Sequence, residues 1–252
     1  MAKIELYHFW DSFCSFKVRI CLAEKGLSWT GHHIDLMTFE NLRPDYLSVN
    51  SKGIVPTLRF DGRLIPESST INEFLDDCYP EPSLKPADPF DRARMRNWVK
   101  VEEDDLFTAV RPASLNLMMK QAFAKYSEAD LDRLLAGHPR PYLIPTLKKM
   151  FLDPPDPKAV EQSRKALHAT LSKMDRELTQ SGPWLAGSTY SLADIAAAPV
   201  IDRIQRLNMD DLWAKLPAVK DWVERVTSRA AYRQSLPPDR LRMPAPAKTV
   251  AL

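Results

Sequence analysis

Residues 55–79 read VPTLRFDGRLIPESSTINEFLDDCY. Two short strand-forming runs, PTLRF and RLIP, flank Asp61-Gly62. That pair tolerates the positive φ of a tight hairpin turn. The run ESSTINEFLDDCY then sets Ile71, Phe74 and Leu75 on one face of a helix. Upstream, KIELYHF (3–9) alternates and is rich in strand formers. SFKVRICLAEK (15–25) puts Phe16, Ile20 and Ala23 at helical spacing, with Val18, Cys21 and Leu22 beside them, and Gly26 reads as the residue that ends the helix. SWTGHHIDL is a second strand. NLRPDYLSV (41–49) is a short helix ended by the turn-like NSKG. The order through residue 78 is β-α-β-α-β-β-α. Strands joined through a helix pair in parallel, and the last two form an antiparallel hairpin.

PEPSLKPADP (80–89) holds four prolines and reads as a linker. Everything beyond it is helical in pattern. Residues 91–122 predict a long helix or a kinked pair broken near Arg111-Pro112, and 127–136 a short helix. Residues 157–180 turn Ala166, Leu167, Leu171, Met174 and Leu178 inward. SLAD (191–194) has the form of a capping box before an apolar helix, which gives Ser191 and Asp194 a folding role. A final helix covers about 216–230. The expected architecture is an α/β domain at 1–79, a linker at 80–90, an all-helical domain at 91–235, and an extended or mobile tail at 236–252.

The chain has 252 residues, 44% of them apolar, and a net charge of +2. Such a balance leaves no electrostatic footprint for nucleic acid. No apolar run approaches the ~18 residues that span a bilayer. The opening MAKIELYHFWDSF is too often interrupted by charge for a signal peptide. A cytoplasmic protein without membrane or nucleic-acid partners is expected. Cys14, Cys21 and Cys78 cannot all pair within the chain, and their spacing fits no zinc pattern. Cys21 falls on a core face, and Cys78 closes a helix near the linker. Both read as structural. His32 and His33 lie on a strand and receive no role.

DSFCSFKVRI (11–20) places two serines and a thiol where a helix begins. One reading is a helix cap. The other is a site for a sulfur nucleophile. The segments SFCSFKVRICLAEKGL, IVPTL, PESSTI and WLAGSTYSLADI occur in one order along the chain. Together they resemble the cytosolic glutathione transferase superfamily over residues 3–230. Within it, the S-x-C-S form resembles the zeta-like transferases, the thiol-using reductive dehalogenases and the β-aryl-ether-cleaving (β-etherase-like) transferases of lignin breakdown. The stretch 67–100 looks most like the ether-cleaving group. The insertion at about 123–155 resembles both that group and the dehalogenases.

The resemblance implies a thioredoxin-like first domain followed by a helical one, glutathione as co-substrate, no metal, and a homodimer. By their match to the family's motifs, Ser12 is the first candidate to activate the thiol, and Ser15 an alternative that equally fits the helix cap. A helix start offers N–H groups and partial positive charge, and a hydroxyl there favours a thiolate over a thiol of pKa near ~8.5. Cys14 matches the cysteine that forms a mixed disulfide with glutathione in the dehalogenases; as a residue type it fits a small buried hydrophobe equally well. Pro56 matches the family's cis-proline, which turns the backbone of Val55 towards the tripeptide's cysteinyl unit. Ser68 and Glu67 match the pair that holds the γ-glutamyl end, and Asn41 a position near the glycyl end, with Lys52 or Arg43 for the carboxylate there. Trp10 and Phe13 flank the motif. Phe107, Met118, Met119 and Tyr142 lie on the first long helices or the insertion. Together they suit an aromatic electrophile.

Three chemistries follow from the resemblance: cleavage of a β-aryl ether to a glutathione thioether and a phenol, reductive dehalogenation through Cys14, and zeta-like cis–trans isomerisation. A ligand-binding or scaffold protein on the same fold is the non-enzyme alternative.

Overall fold

The computed structural model describes residues 2–246. Four strands, β1 (Ile4–His8), β2 (Thr30–His33), β3 (Thr57–Phe60) and β4 (Arg63–Pro66), form one sheet in the order β2-β1-β3-β4. β1 and β2 are parallel; β1–β3 and β3–β4 are antiparallel. Asp61 and Gly62 take the expected positive φ of 47° and 83° at the hairpin turn. α1 (Phe13–Glu24) and α3 (Ser68–Cys78) pack on this sheet. Gly26 ends α1 at φ 62°. This is the thioredoxin-like half.

The register decides where the site lies. Tyr7 pairs with Thr57, and Thr57 with Pro66. The exit of β1 towards α1, the entry of β3 from Val55-Pro56, and the exit of β4 towards Glu67-Ser68 therefore share one edge of the sheet. The three segments, at residues 8–13, 55–56 and 67–68, converge there.

The helix expected at 41–49 is smaller. Leu36–Thr38 and Glu40–Leu42 are 3₁₀ turns, and α2 spans only Pro44–Leu47. Pro44 explains this: the residue before a proline is held extended, and Arg43 has φ −74° and ψ 147°.

The second half carries α4 (Pro89–Val101), α5 (Phe107–Ser114) and α6 (Lys120–Phe123), joined by widened π-type turns at Glu102–Leu106 and Leu115–Met119. The break expected near Arg111-Pro112 does not occur there. Pro112 sits inside α5. A proline removes one ladder hydrogen bond, and the irregularity is taken up by wide turns on either side, with the Asn116 amide donating to Pro112 O at 2.8 Å. α7 (Glu128–Leu135) and α8 (Ile144–Leu152) form the insertion. α9 (Pro157–Ser181), α10 (Leu192–Arg206), α11 (Pro217–Ser228) and α12 (Ala230–Gln234) complete the domain. On α9, Leu167, Leu171, Met174 and Leu178 are buried as expected, but Ala166 is exposed.

One hydrophobic core runs through both halves, from Leu6, Leu58 and Ile71 to Met95, Leu171 and Trp222. A second cluster, Phe39, Leu42, Phe123, Leu131 and Leu135, packs the insertion against the 3₁₀ turns of the first half. The capping box is fully formed. The buried Asp194 carboxylate accepts from Ser191 N, Leu185 N and Trp222 Nε1 at 3.0, 3.0 and 2.8 Å.

The tail departs from expectation. Residues 239–241 form a 3₁₀ turn, Met243 is buried, and its N–H donates to Asp11 Oδ2 at 2.8 Å. Asp11 is a deep acceptor with two arginines beside it, so the tail has a polar anchor that the sequence pattern does not display. Residues 247–252 of that expectation lie outside the described residues.

Candidate functional site

Ser12 is the N-cap of α1, with φ −89° and ψ 130°, and its Oγ accepts the Ser15 N–H at 3.2 Å. Capping uses the oxygen as an acceptor and leaves the hydroxyl hydrogen free to donate elsewhere. The side chain is half-buried at the sheet edge defined above. Ser15 differs. It has no exposed surface, and its hydroxyl accepts from Phe9 N at 3.4 Å, so it points inward rather than towards the site.

Cys14 lies in the first turn of α1, half-buried, and the nearby Ser68 hydroxyl slightly favours its thiolate. Burial pushes that thiol up from its ordinary value; Lys17 pulls it down, and Glu102 pushes it further up. Lys17 and Glu102 form a buried ion pair between α1 and the first π-type turn. Sequence reading did not find this pair. Glu102 Oε1 has no hydrogen-bond partner. The adjacent Glu103 accepts the Ser69 hydroxyl at 2.5 Å, which ties the same turn to the start of α3.

The Val55–Pro56 peptide bond is cis, and both residues are buried. The loop before it is held by two residues not singled out in the sequence. Tyr46 Oη donates to Ile54 O at 2.6 Å, and the Asn50 amide donates to Ile54 O at 3.0 Å and to Thr57 Oγ1 at 2.9 Å. Asn41 turns towards this loop, its amide donating to Gly53 O at 2.7 Å. Gly53 has φ 63°, and a Cβ there would lie 3.2 Å from Asn41 O, so only glycine suits the turn. Ser68 opens α3 and is buried. Glu67 precedes it at φ 68°, a strained value for a side-chain-bearing residue. Its exposed carboxylate accepts Lys52 Nζ at 2.6 Å.

Of the six residues expected to line an electrophile pocket, Met119 is half-buried and the other five separate into three groups. Phe13 and Phe107 meet edge to face across the two halves, centroids 5.6 Å apart, with the Arg111 guanidinium 5.3 Å from the Phe107 ring. Trp10 instead stacks under Arg19 at 4.7 Å and against His8. Met118 is wholly inside the core, and Tyr142 is 74% exposed on the insertion. Apolar residue type alone does not tell a core position from a cavity wall. A separate open groove of about 700 Å³ runs between α5 and α9, lined among others by Asp104, Thr108, Gln162, Ala166 and Lys173. It contains none of the residues converging on Ser12.

The N-terminal domain model of the glutathione S-transferases matches residues 11–78, and the C-terminal domain model matches 117–230. The chain belongs to the glutathione S-transferase superfamily. Among curated relatives, protein LigF of Sphingobium sp. strain SYK-6 is 29% identical over 248 residues, covering 92% of each chain. Tetrachloro-p-hydroquinone reductive dehalogenase of Sphingobium chlorophenolicum is 26% identical, covering 92% of this transferase and 95% of its own length. Maleylacetoacetate isomerase of Pseudomonas aeruginosa is 27% identical over 96% of this chain and 100% of that one. The crystal structure of the β-etherase LigF superposes with a TM-score of 0.83, covering 92% and 98% of the two chains. This transferase is thus a family enzyme for which glutathione is the implied co-substrate. No helix among its described residues is long and apolar enough to cross a membrane.

Proposed function

We propose that this transferase ionises the thiol of bound glutathione at Ser12 and directs it at an aromatic-type electrophile, cleaving a β-aryl ether. The observation that carries the reading is the state of Ser12: its oxygen caps α1 while its hydrogen remains available, at the edge where Val55 and Ser68 also converge. In this reading the Val55 backbone pairs with the cysteinyl unit. Ser68 and Glu67 hold the γ-glutamyl end, and Asn41 positions the loop beside the glycyl end. The thiolate forms the carbon–sulfur bond as the carbon–oxygen bond breaks. The electron pair leaves on the aryloxide, which takes a proton to become the phenol. The likeness to LigF, a β-etherase by its printed title, supports this chemistry within the family's range.

Cys14 supports a second reading, reductive dehalogenation, because its thiol lies in the first turn of α1, two residues from Ser12. There the Cys14 sulfur would attack a glutathionyl adduct, releasing the reduced aromatic and leaving a mixed disulfide that a second glutathione reduces. Burial holds this thiol protonated, which favours glutathione as the working nucleophile. Zeta-like isomerisation and a non-enzymatic binding role rank below both. We also take the protein to be a cytoplasmic homodimer, the first domain of one chain facing the second domain of its partner.

Incubation with glutathione and three electrophiles tests the assignment: a β-aryl ether ketone, a chlorinated hydroquinone and a chloronitrobenzene. A glutathione thioether and a phenol from the first are the expected products by mass spectrometry. Turnover of the hydroquinone alone would replace ether cleavage with dehalogenation. No turnover, with no binding to immobilised glutathione, would leave the scaffold reading.

A further inference from the structure

Ser12 is flanked by Asp11 and Phe13, and a single buried side chain of the second domain holds both neighbours. Arg203 on α10 donates from Nη2 to Asp11 O and to Asp11 Oδ1, each at 3.0 Å. The same guanidinium lies over the Phe13 ring, 4.6 Å from its centroid. Arg203 is 3% exposed, and its Nε has no partner. The group is thus placed to meet the two residues around Ser12 at the expense of one of its own donors. One turn further along α10, Arg206 reaches both Asp11 oxygens and also donates from Nη2 to Met243 O at 2.8 Å. The Met243 N–H closes the ring on Asp11 Oδ2 at 2.8 Å. On the other side, Arg19 donates to Trp10 O at 2.8 Å and to Ser235 O at 3.0 Å. The peptide carrying Ser12 is therefore fixed by α10 and by the segment that follows α12, not by the sheet alone.

We propose that Arg203, Arg206 and the segment ending at Met243 form a positioning clasp on Asp11 that sets the direction of the Ser12 hydroxyl. The C-terminal segment then takes part in building the thiol-activating site although it touches no substrate. The proposal rests on Ser12 being the activating group. Displacing a donor by a fraction of an ångström at such a site lowers its effect on the thiol steeply. A lysine does not replace Arg203, because a point-like ammonium cannot both fork to Asp11 and cover the Phe13 ring.

The test titrates glutathione bound to the full-length protein, read by its ultraviolet thiolate absorbance, with thermal unfolding measured alongside. Wild type is compared with Ser12→Ala, Arg203→Met, Arg203→Lys and Met243→Pro. Ser12→Ala and both Arg203 variants are expected to move the midpoint upward, leaving roughly tenfold less thiolate at neutral pH. Met243→Pro removes the backbone donor together with the buried Met243 side chain, and Met243→Ala, which keeps the N–H, controls for the lost side chain. Arg242, at φ −87° and ψ 138°, already has the conformation that precedes a proline. A shift in the same direction of roughly threefold is expected from it, and it carries the test should the Arg203 variants not fold. A midpoint that moves with Ser12→Ala but stays at the wild-type value in the folded clasp variants overturns the clasp and leaves the function standing. A midpoint unmoved by Ser12→Ala overturns the Ser12 assignment and the clasp with it.

Discussion

At Ser12 the oxygen takes the Ser15 N–H while the hydrogen stays free, so helix capping and thiol activation do not compete for the same atom. Ser12→Ala should therefore show two separable losses: about 1 kcal/mol of stability from the cap and about 10²-fold in kcat/KM for glutathione from the missing donor. Cys14 behaves oppositely. Burial raises its thiol pKa, so carboxamidomethylation of Cys14 should be slow at neutral pH and accelerate only in the alkaline range. Peptide mapping would separate it from the exposed Cys78. Cys14→Ser should leave ether cleavage within a few-fold of wild type and halt any dehalogenation at the glutathionyl adduct. His8 supplies a pH effect on stability. Its buried imidazole, with Arg19 Nη1 3.4 Å from Nδ1, is held neutral down to about 3 rather than 6.5. Because the folded value lies below the unfolded one, this contribution is complete above about pH 6.5 and is lost as pH falls from there towards 3. Replacement by glutamine should flatten the decline in melting temperature across that interval.

The elements were legible wherever a local rule acts alone. The Asp61-Gly62 hairpin, the Gly26 stop and the Ser191/Asp194 box each rest on residues within one turn of each other, and the structure has all three. Where a tertiary contact decides, the sequence was silent. Pro112 looked like a break, yet the helix continues through it because widened turns at Glu102–Leu106 and Leu115–Met119 take up the mismatch. The Lys17–Glu102 pair joins residues 85 positions apart, and no local pattern links the two. Among the candidate residues, the convergence of Ser12, Pro56 and Ser68 was readable because motifs carry them, whereas the depths of Met118 and Tyr142 were not, since residue type does not report depth. The capping box yields a prediction at this scale. Asp194→Ala leaves the Leu185 and Ser191 N–H groups and the Trp222 indole without acceptors in a buried place. Urea unfolding should show a loss of about 3–5 kcal/mol with little change in the glutathione KM of the folded fraction.

Across the whole molecule, the order of strands and helices was readable from periodicity and turn residues, while the tail was not, because its anchor is an acid near the opposite end of the chain. The insertion is held against the first half by aromatic packing. Phe123 and Phe151, centroids 4.1 Å apart, pack with Phe39 of the first half, and Tyr126 Oη donates to Met37 O at 3.0 Å. Phe123→Ala should loosen this bridge and cost about 3–5 kcal/mol of stability, measured by urea unfolding. Sedimentation velocity should return a mass near twice 28.8 kDa for the proposed dimer.

The core that runs unbroken from Leu6 to Trp222 has a practical corollary for recombination. The proline-rich stretch at 80–89 marks a change of pattern, but not a seam along which the chain can be cut and rejoined. Grafting residues 1–79 of this transferase onto the helices of a relative would bring mismatched surfaces together along α1 and α10. A hybrid that keeps the clasp must import Arg203 and Arg206 together with the peptide they grip.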